Sequence, residues 1–207
     1  MYIPRLNVME DRQEIAAFMQ RFSFATIIHS INNIPVATHL PFHISFRDDK
    51  LFLTAHFARA NDQWECLERS RSLVIFSEPH AYISPTNYEK LQEVPTWNYI
   101  SVHAYGQARI IADPDAVMAL LESSIHDYEA SYMQQWQELP AAFKLKLLNG
   151  IVAFEIEVDD LQAKQKLSQN KTMQEQRNII ENLSANTDST ARITAEYMRK
   201  RLEQDID

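Results

Sequence analysis

The chain has 207 residues, 45% of them hydrophobic and 23% charged, a balance that suits one globular domain with a terminal appendage. Its formal charge of −8, from 20 basic against 28 acidic residues, disfavours a broad nucleic-acid surface, because such surfaces neutralise phosphates with Lys and Arg. The single cysteine, Cys66, excludes an internal disulfide and a multi-cysteine metal site. With no signal-peptide pattern and no run of about 18 apolar residues, the sequence reads as cytoplasmic and without membrane contact.

In chain order, residues 10–22 place Ile15, Phe18, Met19 and Phe22 at helical spacing. Residues 25–30 and 34–40 read as strands joined at Asn32-Asn33, and 43–46 and 51–55 as strands joined at Asp48-Asp49. Pro41 separates the two pairs, so the strand after it is bent or lies at an edge. Asn61 or Asp62 caps a predicted helix carrying Cys66, Trp64, Leu67 and Glu68, where a buried structural thiol is expected. Strands at 73–77 and 81–83 precede a proline-bearing loop through residue 95.

From Trp97 the chain alternates for 14 residues, which defines a long strand with two chemically different faces. Asn98, Ile100, Val102, Ala104, Gly106, Ala108 and Ile110 form a small, mostly apolar row that suits a packed interior. Trp97, Tyr99, Ser101, His103, Tyr105, Gln107 and Arg109 form an aromatic, hydrogen-bonding row. That second row is either the aromatic outer face of an ordinary strand or, being too aromatic for water and too polar for a core, a ligand or subunit surface. Asp113-Pro114 then starts a helix to about residue 126, with further helical pieces at 129–137 and from Pro140 to Gly150. A last strand at 151–158 leads into a polar helical tail with an apolar stripe of Ile193, Tyr197, Met198 and Leu202. Within the tail, Arg199, Lys200 and Arg201 are followed by Glu203, Asp205 and Asp207, which reads as a solvated helix face. Six or seven short strands with interspersed helices predict an antiparallel barrel of the α+β class.

Familiar chemical motifs are absent. Gly106 and Gly150 are the only glycines, so neither GxGxxG nor GxxxxGK[ST] can be written, and any bound phosphate must be held by side chains. Seven histidines occur without HExxH or a Cys-His pairing, and no GxSxG is present. A more specific constellation joins ATHLPF at 37–42, TAHFARAN at 54–61 and VPTWNY at 94–99. The second string sets Thr54, His56, Arg59 and Asn61 at a strand-to-helix junction, where a fixed cation, amide and hydroxyl donors and helix N–H groups make a phosphate seat. Taken singly, Arg59 is an ordinary surface ion pair and Asn61 an ordinary cap.

HFARAN, AYISPTNYEK, VPTWNYISVHAYG and KLSQNK, in this order, resemble the FMN-binding negative transcriptional regulators of the PaiB type. The resemblance covers nearly the whole chain. It implies an antiparallel split β-barrel related to pyridoxamine phosphate oxidases, spanning 1–160, with a helical extension at 161–207. It also implies a homodimer holding FMN between subunits. By this resemblance, Thr38 and His39 lie along the flavin ring, and Thr54, His56, Arg59 and Asn61 hold the phosphate. Trp97, Asn98 and Tyr99 come from the facing subunit, and Lys166, Ser168, Gln169 and Lys171 close the site. The sequence departs from the family pattern at Ala55 and Glu78, where glycine is usual, and at Asn87, where an aromatic residue is usual. The function implied is transcriptional regulation, through DNA, a protein partner or a small metabolite. The competing reading is a flavin-dependent oxidoreductase of the same fold, with His39, His56 and Tyr99 as donors.

Overall fold

The computed structural model describes residues 1–204; Asp205 and Asp207, read above as part of the acidic end, lie outside the described residues. Among the described residues eight strands carry the architecture: β1 Phe24–Ile31, β2 Ile34–Pro41, β3 His43–Arg47, β4 Lys50–Ala58, β5 Ser72–Phe76, β6 His80–Ile83, β7 Thr96–Ile110 and β8 Ile151–Lys166. Six α-helices accompany them in the same residues: α1 Arg12–Arg21, α2 Pro114–Glu129, α3 Met133–Glu138, α4 Ala141–Asn149, α5 Met173–Ser184 and α6 Ser189–Gln204. The strand order is β2-β1-β5-β7-β8-β4-β3, with β6 on β7. The pairs β1–β2, β1–β5, β3–β4, β4–β8 and β6–β7 are antiparallel. Among the described residues no helix is long and apolar enough to cross a membrane.

The chain divides into two compact units, each discontinuous in sequence. One comprises Met1–Ile15, Ser77–Val102 and the described residues from Gln162 onward; the other comprises Ala16–Phe76 and His103–Leu161. The second holds most of the sheet. Both of its tight hairpins are set by paired residues with left-handed backbone, Asn32 and Asn33 (φ 51° and 63°) and Asp48 and Asp49 (φ 49° and 61°). Asn and Asp tolerate this region, and two successive positive φ values match the right-handed twist of the flanking strands. Pro41 ends β2 as expected, and β3 starts two residues later. The core of this unit is aromatic: Phe42 meets Phe76 and Phe154 at 6.0 and 6.2 Å between ring centroids, and Phe57 stacks on Phe154 at 5.2 Å. Each fully buried ring contributes about 1.5–3 kcal/mol relative to exposure. Asp113 caps α2 by accepting from the Ala116 N–H at 3.3 Å, with Pro114 at the first helical position.

The first unit is built on α5, α6 and short strands. Thr172 and Glu175 form a reciprocal capping box at the start of α5, at 3.2 and 3.1 Å. Ile179, Ile180 and Leu183 of α5 and Ala191, Ala195 and Met198 of α6 are buried. The Glu78-Pro79 peptide bond is cis, and Asn87 is buried with its side-chain N–H on the Ser84 carbonyl.

Three expectations need correction. The last strand runs to Lys166, not to 158, because the polar stretch from Asp159 onward remains in the β8 ladder. The helix expected after Asn61 is a five-residue 3-10 helix, Asp62–Cys66, with Leu67 as its closing residue. Cys66 is half-buried, so the expected buried thiol is only partly covered.

Candidate functional site

The long alternating strand is real, and its faces divide as predicted. Asn98, Ile100, Val102, Ala104, Gly106 and Ala108 are buried, Ile110 is half-buried, and Trp97, Gln107 and Arg109 are exposed. Ser101 departs from the pattern, being buried on the otherwise open face. The outer row beyond it is partly occupied. Arg71 lies over the Tyr105 ring at 5.3 Å, and Gln107 donates to the Leu67 carbonyl at 3.1 Å.

The candidate residues fall into two sets, one in each unit. In the sheet unit the centre is a buried amide, Gln63, only 2% exposed. Its Oε1 accepts from the Thr38 hydroxyl at 2.6 Å, while its Nε2 faces the carbonyls of Ile27 (3.2 Å) and Val36 (3.3 Å) and Nδ1 of His29 (3.1 Å). Asn61 donates to Thr38 at 3.0 Å and accepts from the Gln63 N–H at 3.1 Å. His29 Nε2 continues the chain to Ser72 at 2.8 Å. Burial holds His29 below its ordinary value of 6.5, so it is neutral. Of these residues the sequence named Thr38 and Asn61 as candidates and did not single out Gln63.

Asn61 also answers the question of free helix N–H groups. Its side chain takes the N–H of Gln63 and its carbonyl that of Trp64, at 3.1 and 3.3 Å. A 3-10 helix this short, with those donors already used, does not offer the helix-terminus anion seat expected from the sequence. Any phosphate here must be met by side chains. Arg59 is suited to that. Its Nε and Nη2 donate to the carbonyls of Asn149 (2.8 Å) and Ile151 (2.7 Å), so the exposed guanidinium is oriented by neutral groups. Among the described residues no carboxylate neutralises it.

The other sheet-unit candidates stand apart. His39 is exposed and stacks on Phe24 at 6.3 Å, and the Thr54 hydroxyl contacts the His43 carbonyl at 3.5 Å. His56 lines a cavity of about 440 Å³ with Leu121, Tyr128, Trp136 and Leu147. None of Thr38, Arg59, Asn61 or Gln63 lines it. Burial lowers the His56 pKa from 6.5.

The second set gathers at the start of β7 and the end of β8. Trp97 is 53% exposed, with Tyr82 and His80 against its ring at 5.9 and 6.0 Å. Asn98 is fully buried; it accepts from Ser168 Oγ at 3.0 Å and donates to Met198 Sδ at 3.4 Å. Ser168 has φ 61°, a left-handed turn that brings KLSQNK back toward β7. Lys164 lies over the Tyr99 ring at 5.0 Å, and Lys166 donates to the Thr96 hydroxyl and the Trp97 carbonyl. Desolvation, and then the neighbouring Lys164, lower the Lys166 pKa. Gln169 closes its own turn, accepting from Leu167 N–H and donating to the Gln165 carbonyl. Lys171 pairs with Glu93 at 2.8 Å and covers the Tyr88 ring at 3.8 Å. Desolvation pulls the Lys171 pKa down, but the Glu93 hydrogen bond and charge outweigh it and the net shift is upward. The Tyr88 hydroxyl beside it is buried without a hydrogen-bond partner among the described residues.

These features fit FMN chemically. An exposed indole flanked by aromatic rings offers a flat surface, three cations are positioned by hydrogen bonds, and one buried hydroxyl lacks a partner. Among the described residues no group of three or more His, Cys, Asp or Glu is placed to hold a metal.

The fold is that of the flavin-binding split barrels. The flavocytochrome Anf3 from Azotobacter vinelandii superposes with a TM-score of 0.63 at 16% identity, covering 80% of this chain and 72% of that one. An FAD- and haem-binding protein from Mycobacterium smegmatis gives 0.62 at 16% identity, over 77% and 73%. The chain belongs to the FMN-binding family described as "Putative FMN-binding domain", which it matches over residues 1–160, and FMN is the cofactor of that family. It is 38% identical over 209 residues, covering 100% of both chains, to the Bacillus subtilis "Protease synthase and sporulation protein PAI 2". It is also 37% identical over 99 residues, 45% of this chain and 59% of the relative, to an uncharacterised Saccharomyces cerevisiae protein.

Proposed function

We propose that the protein is a homodimeric, FMN-binding transcriptional regulator in which each flavin is shared by two protomers. The observation that carries this reading is Arg59: a guanidinium aimed by two main-chain carbonyls and left without a counter-charge is prepared for an anion such as a phosphate. In one protomer Arg59, Asn61 and Thr38 take the phosphate and ring edge. Its partner supplies Trp97, with Asn98, Tyr99 and the 166–171 turn behind it. FMN, when bound, supplies reversible two-electron chemistry; the protein residues bind, orient and shield it. The acidic balance directs regulation toward a protein contact or a metabolite in preference to direct DNA contact.

The test is an FMN titration of the purified protein. Saturable quenching of flavin fluorescence with a rise in melting temperature supports the reading; a colourless protein whose melting point ignores FMN rejects it. The cavity beside His56 gives a second reading its footing. At about 440 Å³, largely apolar and holding a neutral imidazole, it is of a size to admit a small substrate of a flavin-dependent oxidoreductase. Rapid NAD(P)H-driven turnover of bound flavin favours that enzyme; an inert flavin favours the regulator.

A further inference from the structure

We infer that Gln63 is a positioning residue that fixes which atoms of Thr38 and Asn61 can face a ligand. The inference rests on the FMN reading and names the part of the flavin the pair would meet. The carbonyls of Ile27 and Val36 can only accept, so the Gln63 atom facing them is its Nε2. Oε1 is therefore the atom facing Thr38, and an amide oxygen can only accept. The one proton of Thr38 is committed to it. Asn61 is fixed in the same way: its Oδ1 accepts from a main-chain N–H, so Nδ2 is the atom that donates to Thr38.

The donor and acceptor capacities that remain are definite. Thr38 has a lone pair and no proton to give, and Asn61 Nδ2 has one further N–H. An acceptor and a donor 3.0 Å apart complement a ligand edge that alternates donor and acceptor at the same scale. The imide edge of a flavin, an N3–H flanked by two carbonyls, is such an edge. A phosphate is not, because it has nothing to donate to Thr38. Behind the pair, His29 stays neutral with its Nδ1 toward Gln63 and Nε2 toward Ser72, so no mobile charge disturbs the arrangement. Gln63, the acceptor of the Thr38 proton, is itself only 2% exposed.

The experiment compares FMN with N3-methyl-FMN, which lacks the N3–H, by flavin-fluorescence titration of the full chain. The wild type is expected to bind FMN about 10-fold or more tightly than the methylated analogue, the worth of one buried hydrogen bond. Thr38→Val should lose most of that preference, and Thr38→Ser should keep it. Gln63→Met, checked for a native circular dichroism spectrum, should reduce the preference without abolishing FMN binding. Equal affinity of the wild type for both flavins overturns the assignment, and so does a preference undiminished in Thr38→Val, which would mark simple steric exclusion of the methyl group. If the wild type binds neither flavin, the cofactor reading itself falls and takes this one with it.

Discussion

His29 shows how a single buried side chain ties the candidate site to pH. It is 1% exposed, and its two ring nitrogens face Ser72 and Gln63. Its pKa in the fold lies below the ordinary 6.5 because burial disfavours the charged imidazolium. The unfolded chain therefore takes up this proton first as pH falls. Stability from the neutral ring is fully present above about pH 6.5 and is lost as pH drops through the folded value. Protonation would also set an Nδ1–H against the Gln63 N–H₂, opposing the amide orientation that presents Oε1 to Thr38. Melting temperature and FMN affinity are both expected to fall together below pH 6.5 in the wild type. In His29→Gln, which cannot titrate, the acid loss should be smaller; an identical pH profile in that variant would show that His29 is not responsible. His56 and His103 also have lowered values from burial, so part of the acid loss should persist.

At the level of elements, β7 and α5 carry the clearest consequences. Gly106 sits where β7 passes β8, and a Cβ built there would lie 2.6 Å from Ile156 Cγ2 and closer still to the Glu157 carbonyl oxygen. Main chain cannot yield as a flexible side chain can, so Gly106→Ala should cost at least about 1–3 kcal/mol. A chemical-denaturation midpoint equal to the wild type would contradict the close strand approach. On α5, Thr172→Ala removes one half of the capping box, and about 1 kcal/mol should be lost. The effect reaches further than the helix, because Glu175 also accepts from the Glu89 N–H at 3.1 Å and so anchors the segment before β7. Hydrogen exchange at Glu89 should accelerate in Thr172→Ala; unchanged protection there would confine the cap to α5.

The same elements show where sequence was sufficient. The faces of β7 were readable because small apolar residues repeat at period two without interruption, and no helix pattern fits them. Both hairpins were readable because Asn-Asn and Asp-Asp are residues that accept left-handed backbone. The second half of β8 was not readable: DDLQAKQK lacks an apolar face, and only pairing with neighbours keeps it extended. The Gln63 network was hidden for a related reason. Nothing in a glutamine's neighbours in sequence announces that two main-chain carbonyls from distant strands will converge on it.

For the whole molecule, the exposed surface argues for a second copy. β2 ends the strand order and is largely exposed, with Ile34 65% accessible, so it presents an edge that a second chain can cover. In the other unit Trp97 is 53% exposed, beside the half-exposed Tyr82, although such rings favour interface centres. In the dimer proposed above, a partner chain would cover both features. Trp97→Ala should then weaken dimerisation and FMN binding together, each by about 2 kcal/mol or some 30-fold if the ring is a true anchor. Sedimentation velocity across a concentration series, with and without FMN, reads both effects. Added FMN should pull the wild type toward dimer, because a ligand held by two protomers stabilises their union by mass action. A variant that remains dimeric and binds FMN unchanged would separate the cofactor from the seam.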